Sequence, residues 1–310
     1  MEIAYKSSKK RKKITKRVVG LSLMIAPAAV LLFLFYYIPL YGILISFKDY
    51  NTYVGVLKSP WAGLKHYIYF LTDPTFYKVL KNTLIISSYD IIFGFAAPIV
   101  FALLANEILN KKFKKVVQTI SYLPNFLSWV VVAGLMRQLL DPSIQGMVNS
   151  VLIRTFGMEP IYFLGTKDLF VPMVVIIDIW KNVGFSAILY FATIAGISPS
   201  LYEAASMDGA GRLRQTWHIT LPGMASIIVL LLLLRISTIF AVGFDRIFNF
   251  QNPMVHDVSE VISTYVYHTG LQQAQYSLTT AIGFAQSVLG FALLIFGNKL
   301  SKKISGLGLY

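Results

Sequence analysis

Long apolar runs separated by short polar segments dominate the sequence. Six of these runs are about 20 residues or longer and carry few charges, which is enough α-helix to cross roughly 30 Å of hydrocarbon. We predict membrane-spanning helices at residues 18–47, 82–106, 116–140, 170–196, 222–245 and 278–298. The pattern therefore predicts an all-α, polytopic membrane protein with six transmembrane helices.

The first apolar run is the longest. As a helix, residues 18–47 would measure about 45 Å, so we expect this span to tilt, to kink at Pro27 or Pro39, or to extend beyond the bilayer. The run follows a basic N-terminus and contains no small-residue cleavage site. We therefore interpret it as a retained span and not as a signal peptide.

The positions of the basic residues predict the orientation of the spans. The net charge is +14, but the cations gather at the ends of the apolar runs, which favours a topological explanation over nucleic-acid binding. One side of the membrane has 17 Lys and Arg, which lie in both tails and in the loops between spans two and three and between spans four and five. The loops on the opposite side have eight, and we place Arg246 among them. Both termini are thus predicted to be cytoplasmic, with tails at 1–17 and 301–310 flanking a membrane domain at 18–300.

The composition narrows the possible chemistry. Hydrophobic residues make up 56% of the chain and charged residues only 14%, against about a quarter charged in soluble domains. The absence of cysteine excludes disulfides, thiolate catalysis and a lipidated N-terminal cysteine.

A polar cassette interrupts the apolar pattern near residues 198–222. Ser198 before Pro199 is a helix-start signal, and Ser200 with Glu203 offers an alternative start with capping-box spacing. We predict a break at Asp208-Gly209 and a second helical piece at residues 212–218. Small residues at 204, 205 and 209–211 would let another protein approach closely, but they would equally permit a tight turn. Physical reasoning alone gives docking and a tight turn equal weight.

The segment EAASMDGAGRLRQTWHITLP, residues 203–222, resembles the EAA loop of bacterial ABC-importer permease subunits. The matching positions are Glu203, Ala204, Ala205, Asp208, Gly209, Ala210, Ile219, Leu221 and Pro222. Trp217 stands where the family usually has Phe, and Ile227 stands where it often has a further proline. The text from Asp178 to Pro222 resembles the carbohydrate branch of this family, in particular permeases for oligosaccharides and polysaccharide fragments.

The resemblance implies a type I ABC-importer (MetI-like) transmembrane fold in a bacterial cell membrane. It also implies the following partners: a second homologous permease subunit, two cytoplasmic ABC ATPases, an extracellular solute-binding protein and a carbohydrate substrate. The residues expected to couple to an ATPase are Glu203, Ala204, Ala205, Asp208, Gly209, Ala210 and Arg212. The sequence has no G-x-x-x-x-G-K-[ST] phosphate loop, so we expect ATP and Mg on the partner ATPase and no cofactor in this chain.

Polar side chains inside the predicted spans are the candidates for a substrate pathway, because a charge near mid-bilayer costs roughly 2.5–3.5 kcal/mol on insertion scales. These candidates are Tyr89, Asp90, Tyr122, Asn125, Asp178, Trp180, Lys181, Asn182, Arg235 and Gln286. Asp178 and Lys181 have the i, i+3 spacing of a pair on one helix face, in the pathway or in packing. Arg235 has no partner in its own helix, so we consider Asp178 and Asp90 as partners. Arg137 fits a snorkelling anchor.

Three other classes of protein compete with this interpretation, and one of them, an ion channel, has no feature of the sequence in its favour. An ion-coupled secondary transporter of a small polar solute would need no ATPase and would often show inverted repeats, which we do not find. A membrane enzyme lacks support, because no H-E-x-x-H or G-x-S-x-G motif occurs and His66, His218, His256 and His268 lack metal-ligand spacing. We therefore expect no metal site and no catalytic residues.

Overall fold

The computed structural model describes residues 16–306 and residue 308. The predicted N-terminal tail thus lies outside the described residues except for its last two positions, and the predicted C-terminal tail is described only in part. The described chain is helical, and its β-pairing is an isolated antiparallel bridge between Lys48 and Trp61. In chain order, its α-helices are α1 Lys16–Leu32, α2 Gly55–Lys58, α3 Lys65–Thr72, α4 Pro74–Tyr89, α5 Ala96–Asn106, α6 Lys111–Tyr122, α7 Trp129–Leu139, α8 Met147–Phe156, α9 Lys167–Ala195, α10 Pro199–Met207, α11 Arg212–Gln215, α12 Leu221–Gly223, α13 Ala225–Ser237, α14 Phe244–Phe250, α15 His256–Ser259, α16 Ile262–Val266 and α17 Tyr276–Ser305.

Shorter π and 3-10 segments continue several of these helices. The π segments are Phe33–Tyr37, Asp90–Gly94, Thr216–Thr220 and Tyr267–Gln272, and the 3-10 segments are Ile38–Phe47 and Leu123–Phe126. By length and composition, four helices of the described chain can cross a membrane, and six can if each of two bent pairs counts as one span. The six predicted spans are therefore all present as helical units.

The first span runs without interruption from α1 through a π segment into the 3-10 segment Ile38–Phe47. Pro27 lies inside α1, and Pro39 is the second residue of the 3-10 segment. In the most apolar window of this span no residue is buried within the chain. Its apolar side chains therefore face lipid or another protein.

The second span starts at Pro74, eight residues before the predicted start at 82. Asp73 caps α4 by accepting a hydrogen bond from the Thr75 N–H at 2.9 Å. The prediction was wrong because Lys78 and Lys81 lower the hydropathy of the first two turns without interrupting the helix.

The third span is broken. The unit from Lys111 to Phe126 and α7 meet at an angle of 104°. The break follows Pro124, whose missing N–H permits a kink, and Ser128 then caps α7 through the Val131 N–H. The continuous helix predicted at 116–140 is thus replaced by two shorter pieces, and side chains of other helices can reach the backbone carbonyls between them, as Lys181 reaches that of Asn125.

The fourth span is a single 29-residue helix, α9, as predicted. The fifth differs from the prediction, because the unit Arg212–Gly223 and α13 meet at 60° and α13 ends at Ser237, not at 245. Arg235 therefore lies in the last turn of α13 and not in the middle of a span.

The sixth span, α17, extends beyond the predicted 278–298 at both ends. It packs along α13, and a Cβ at Gly290 would come within 2.4 Å of the Ser237 carbonyl oxygen. Glycine at this position permits the close approach of the two helices.

The largest core cluster forms where α4, α7, α9 and α14 meet. Its fully buried side chains include Ile86, Val132, Phe170, Ile247 and Phe250. Because α14 returns into this cluster after α13 has ended, residues near 246 are carried into the interior.

Candidate functional site

A buried ion pair joins α14 to the second span. Arg246 donates two parallel hydrogen bonds to the Asp90 carboxylate, Nη1 to Oδ1 at 2.9 Å and Nη2 to Oδ2 at 2.7 Å. Both side chains are almost fully buried. Asp90 opens the π segment that separates α4 from α5, and such single-turn segments recur at functional sites.

Two further charges complete this group, which we call the ion network (Asp90, Asp178, Arg235 and Arg246). Arg246 Nη1 lies 3.3 Å from Asp178 Oδ1, and Arg235 Nη2 lies 3.3 Å from Asp90 Oδ2. Two carboxylates thus balance two guanidinium groups. The Arg235 side chain is 43% exposed, so it is the accessible cation of the network.

Amide side chains extend the network to the third span. Asn182 donates to Asp178 Oδ1 at 3.0 Å, and Asn125 donates to Asn182 Oδ1 at 2.9 Å. Lys181 donates to the Asn125 backbone carbonyl at 2.7 Å and lies over the Trp129 ring. The broken third span is therefore anchored to α9 at the height of the ion network.

Two predicted pairings are resolved by these contacts. Arg235 meets Asp90, one of its two candidate partners. The predicted pair of Asp178 and Lys181 does not form, because Asp178 faces Arg246 whereas Lys181 turns to a carbonyl at the break in the third span. The tertiary partners override the i, i+3 spacing.

Arg246 corrects the sequence prediction most strongly. We placed it in an external loop, but it lies in the interior and its side chain is 5% exposed. The error arose because the fifth helix ends at Ser237, eight residues before the predicted end, and α14 then turns inward. The available signal was charge balance, since Asp90 and Asp178 both lie in spans and each needs a cation.

Two cavities adjoin the ion network. The larger measures about 700 Å³ and lies between the second, fourth and fifth spans, and the smaller measures about 140 Å³. Asp178, Asn182 and Arg235 line both. The network therefore presents a carboxylate, an amide and a guanidinium group to open space inside the helical bundle.

Other predicted pathway residues lie apart from the network. Gln286 donates to the Phe240 carbonyl at 2.6 Å beside a different cavity. Tyr89 lines a shallow surface pocket on the second span, and Trp180 is 41% exposed. Tyr122 is half-buried. Arg137, predicted to be a snorkelling anchor, donates to the Asn249 carbonyl and so fastens α7 to α14.

The polar cassette forms the predicted helix and turn, which we call the coupling loop (residues 198–222). Ser198 occupies the N-cap position of α10, so the alternative start at Ser200 is not used. Gly209 has φ of +74°, and the Ala210 N–H bonds the Ala205 carbonyl at 2.8 Å. This is a Schellman ending, which requires the left-handed backbone that glycine adopts without strain.

Internal contacts hold the coupling loop in shape. Gln215 donates to the Ala210 carbonyl and to Ser206 Oγ, both at 2.9 Å. The Nη1 atom of Arg212 lies 3.8 Å from Oε2 of Glu107, which is in the loop between the second and third spans. The second helical piece predicted at 212–218 is present as α11 and the π segment that follows it.

The coupling loop exposes apolar side chains beside its charges. Met207, Leu213 and Trp217 are 89%, 83% and 66% exposed. Glu203, Ala204, Asp208, Gly209 and Arg212 are also exposed, whereas Ala205 and Ala210 are half-buried on the inner side of the turn. A short, rigid helix with an exposed apolar and charged surface is a form that enters grooves of other proteins.

A six-span helical bundle with charges beside an internal cavity and a preformed surface helix has the features of a membrane transport permease. Residues 91–306 match the family described as the binding-protein-dependent transport system inner membrane component. The chain belongs to this family, so it is an importer's permease subunit and not an enzyme. The secondary transporter considered above is thereby excluded.

Named relatives agree with this assignment. The chain is 43% identical to the polygalacturonan/rhamnogalacturonan transport system permease protein YteP of Bacillus subtilis, over 99% of this chain and 96% of that protein. It is 39% identical to the protein LplB of the same organism, over 95% and 92%. A more distant relative, at 25% identity over 80% and 78%, is the arabinooligosaccharides transport system permease protein AraP of Bacillus subtilis.

Solved structures have the same fold. A chain of a bacterial ABC transporter involved in the import of the acidic polysaccharide alginate superposes with a TM-score of 0.85 at 38% identity, covering 94% of this chain and 97% of that one. A second structure, of the bacterial alginate ABC transporter in complex with alginate pentasaccharide-bound periplasmic protein, gives 0.86 at 38% identity, over 95% and 98%. The predicted importer-type transmembrane fold is confirmed.

Proposed function

We propose that this chain is one of two homologous permease subunits of an ATP-driven importer of oligosaccharides or polysaccharide fragments. An extracellular solute-binding protein would deliver the sugar, and two cytoplasmic ABC ATPases would drive its passage. ATP and Mg would bind to those ATPases, and both termini of this chain would lie in the cytoplasm of a bacterial cell. The observation that carries the proposal is the ion network beside a cavity of about 700 Å³ in a chain of this family.

The cavity has the chemistry that a sugar needs. Asp178 and Asn182 offer hydroxyl groups a carboxylate and an amide within one helical turn of α9. Tyr190, Phe95 and Phe185 add apolar and aromatic surface to the lining. Polar groups converging in a largely apolar concave site are typical of small-ligand sites.

We further propose that the cargo is anionic. Arg235 is the exposed cation of the network, and Asp90 would keep its bidentate partner Arg246 if Arg235 moved to bind a cargo carboxylate. The transporter to which the structural relative belongs imports an acidic polysaccharide, which supports this assignment. Guanidinium groups bind carboxylates in a planar, two-point geometry.

The coupling loop would transmit motion from an ATPase. Glu203, Ala204, Ala205, Asp208, Gly209, Ala210 and Arg212 are the proposed coupling residues. Ion pairing by Glu203, Asp208 and Arg212 would fix the register of docking, and the small side chains would let the surfaces approach closely. Because α9 leads directly into α10, displacement of the coupling loop would move the helix that carries Asp178 and Asn182.

Purification of the tagged chain from its native membrane tests the proposed assembly. We expect a second six-span protein and a nucleotide-binding subunit to co-purify. We also expect reconstituted vesicles to take up oligosaccharide only with ATP and the binding protein present. Uptake by this chain alone under a proton gradient would contradict the proposal.

Glu203→Lys tests the coupling role. We expect it to abolish ATP-dependent uptake while the spans remain inserted, because it reverses a charge on the exposed face of α10. Glu159→Lys is the matched control, since Glu159 is also exposed but precedes α9 and lies toward its opposite end. Equal uptake by both variants would refute the docking role.

A further inference from the structure

Three potential metal ligands converge at the end of the bundle that lies away from the coupling loop. The Nε2 atom of His256 lies 2.8 Å from Glu260 Oε2, and the Nδ1 atom of His268 lies 3.1 Å from Glu260 Oε1. One ligand atom from each of the three residues lies within 4.8 Å of the others. The sequence did not show this group, because His268 comes close to His256 and Glu260 only through the fold of residues 256–272.

The surroundings of Glu260 favour a cation. The residue is 7% exposed, and within the described chain its ion pairs are both with histidines, not with Lys or Arg. A buried carboxylate needs a compensating positive charge, which must come here from histidine protons or from a bound metal ion. Two imidazoles and one carboxylate are ligands that Zn²⁺ prefers, and a fourth position would remain for water.

The geometry is within reach of coordination. Ligands at about 2.0–2.2 Å from a tetrahedral Zn²⁺ lie about 3.4 Å from one another. The two carboxylate–imidazole distances, 2.8 and 3.1 Å, are somewhat shorter than this value and end at the two different oxygens of Glu260, so a carboxylate that faces both imidazoles is already in place. The His256 side chain is 58% exposed, so its torsions are free to make the remaining adjustment.

Neighbouring residues hold Glu260 in place. Asn82 of the second span donates to the Glu260 carbonyl at 3.0 Å and to the Asp257 carbonyl at 2.9 Å. Gln251 directly follows α14, and its Nε2 atom lies 3.4 Å from Glu260 Oε2. Supporting contacts of this kind orient the ligands of metal sites.

The site lies about one helix length from the coupling loop. Asp257, next to His256, pairs with Lys167 at the first residue of α9, whereas the coupling loop follows the last residue of that helix. A 29-residue helix is about 43 Å long. Gln251 follows the same short helix that carries Arg246, so the ligands are connected to the ion network through α14.

We propose that His256, Glu260 and His268 form a binding site for a divalent transition-metal ion, with Zn²⁺ as the ion that its ligands fit. The ion joins α15 to the π segment Tyr267–Gln272 and fixes the segment between the fifth and sixth spans. Binding stabilises the folded state, because the assembled ligand set exists only there.

Zinc binding by the intact transporter tests this inference. The purified complex is stripped with a chelator and titrated with ZnCl₂ by calorimetry, and bound zinc is counted by mass spectrometry. We expect one Zn²⁺ per copy of this chain beyond any bound by the partners, with a higher Tm. Ca²⁺ and Mg²⁺ should give no such shift, because they prefer all-oxygen ligands.

Variants assign the zinc to these residues. His268→Gln and Glu260→Gln should each lower the affinity at least tenfold and remove one zinc per chain. His66→Gln is the matched control, because His66 contacts the single carboxylate of Asp49 on a different loop. If Glu260→Gln fails to assemble, His256→Gln provides the same test, since more than half of that side chain is exposed.

Two results would overturn the proposal. One is a wild-type complex that binds no zinc beyond the amount held by the His268→Gln complex. The other is an affinity that His66→Gln lowers as much as His268→Gln does. Neither outcome bears on oligosaccharide import, so the metal site and the proposed function can fail separately.

Discussion

Arg246 and Asp90 are joined by two parallel hydrogen bonds of 2.9 and 2.7 Å, although 156 positions separate them in the chain. The pair fastens α14 to the π segment of the second span, and Asp178 and Arg235 bind to the same pair. Charges at this depth are stable only because each has an opposite partner. The ion network is therefore a structural requirement of the bundle as well as a candidate pathway.

Removing one member of the pair should be costly. Arg246→Gln leaves Asp90 with only Arg235, at 3.3 Å, so we expect destabilisation of about 3–5 kcal/mol and poor assembly. Thermal unfolding of the purified subunit in detergent measures this change.

A double variant separates charge imbalance from simple loss of packing. Arg246→Met with Asp90→Leu removes one charge of each sign, so the two charges that remain in the ion network, Asp178 and Arg235, still balance. We expect it to recover most of the lost stability, because replacing a buried pair by apolar side chains is often neutral. No recovery would mean that packing, not charge balance, fixes α14.

Arg235 should affect the transporter's selectivity for acidic cargo more than the stability of the fold. Its side chain is the exposed member of the network, so Arg235→Gln leaves Asp90 paired with Arg246. We expect uptake of an acidic oligosaccharide to fall at least tenfold, whereas uptake of a neutral one of the same length changes little. Reconstituted vesicles loaded with ATP measure both.

The control for this prediction is Arg154→Gln, which removes an exposed arginine of α8 far from the network. An equal loss for acidic and neutral sugars in Arg235→Gln would contradict the assignment of an anionic cargo. It would leave Arg235 as a structural partner of Asp90.

Substitution of Gly209 should disturb the coupling loop through the backbone conformation of this residue. Its φ is +74° and an added Cβ would meet no atom within 4 Å, so the cost of Gly209→Val comes from the left-handed conformation, about 1–2 kcal/mol. We expect the turn after α10 to distort, so that the amount of sugar taken up per ATP hydrolysed falls. ATPase activity measured beside uptake gives this ratio.

Gly211→Val is the matched control for that variant. Gly211 has an extended backbone with φ of −69° and no neighbour within 4 Å of a Cβ. We expect this variant to take up nearly as much sugar per ATP hydrolysed as the wild type. Equal uncoupling by both variants would show that the exposed surface, not the turn, is what the substitutions disturb.

Asp257 predicts a pH dependence. Hydrogen bonds from Lys167, at 2.7 Å, and from Lys78, at 2.5 Å, lower the pKa of this carboxyl to about 2 from its ordinary 3.8. A lowered pKa favours the folded state at every pH above the ordinary value. The contribution is then lost as the pH falls from about 4 towards 2.

Asp257→Asn should therefore lower Tm by a constant amount between pH 5 and 8, with the difference from wild type shrinking below about pH 4. All three side chains are about half-exposed, so we also expect high salt to reduce the difference. A difference that persists unchanged at pH 3 or in high salt would contradict the ionic explanation.

The amino-acid sequence by itself determined the number of helical spans, the location of the coupling loop and its break at Asp208-Gly209. These features depend on neighbours in the chain, because hydrophobic runs, capping residues and glycine at a left-handed position act locally. The same local signals placed the fourth span within three residues of its observed ends. Pro124 lies at the break of the third span, but the angle of 104° between its two pieces depends on packing.

The tertiary structure alone decided which polar groups meet. Arg246 looked like a loop cation and Lys181 looked like the partner of Asp178, because spacing cannot show that α14 turns back into the bundle. His256, Glu260 and His268 likewise come together only through the fold of the segment after the fifth span. A buried charge needs a partner of opposite charge. In this helical bundle the partners lie on other helices, so they are far apart in the sequence and no local pattern shows them.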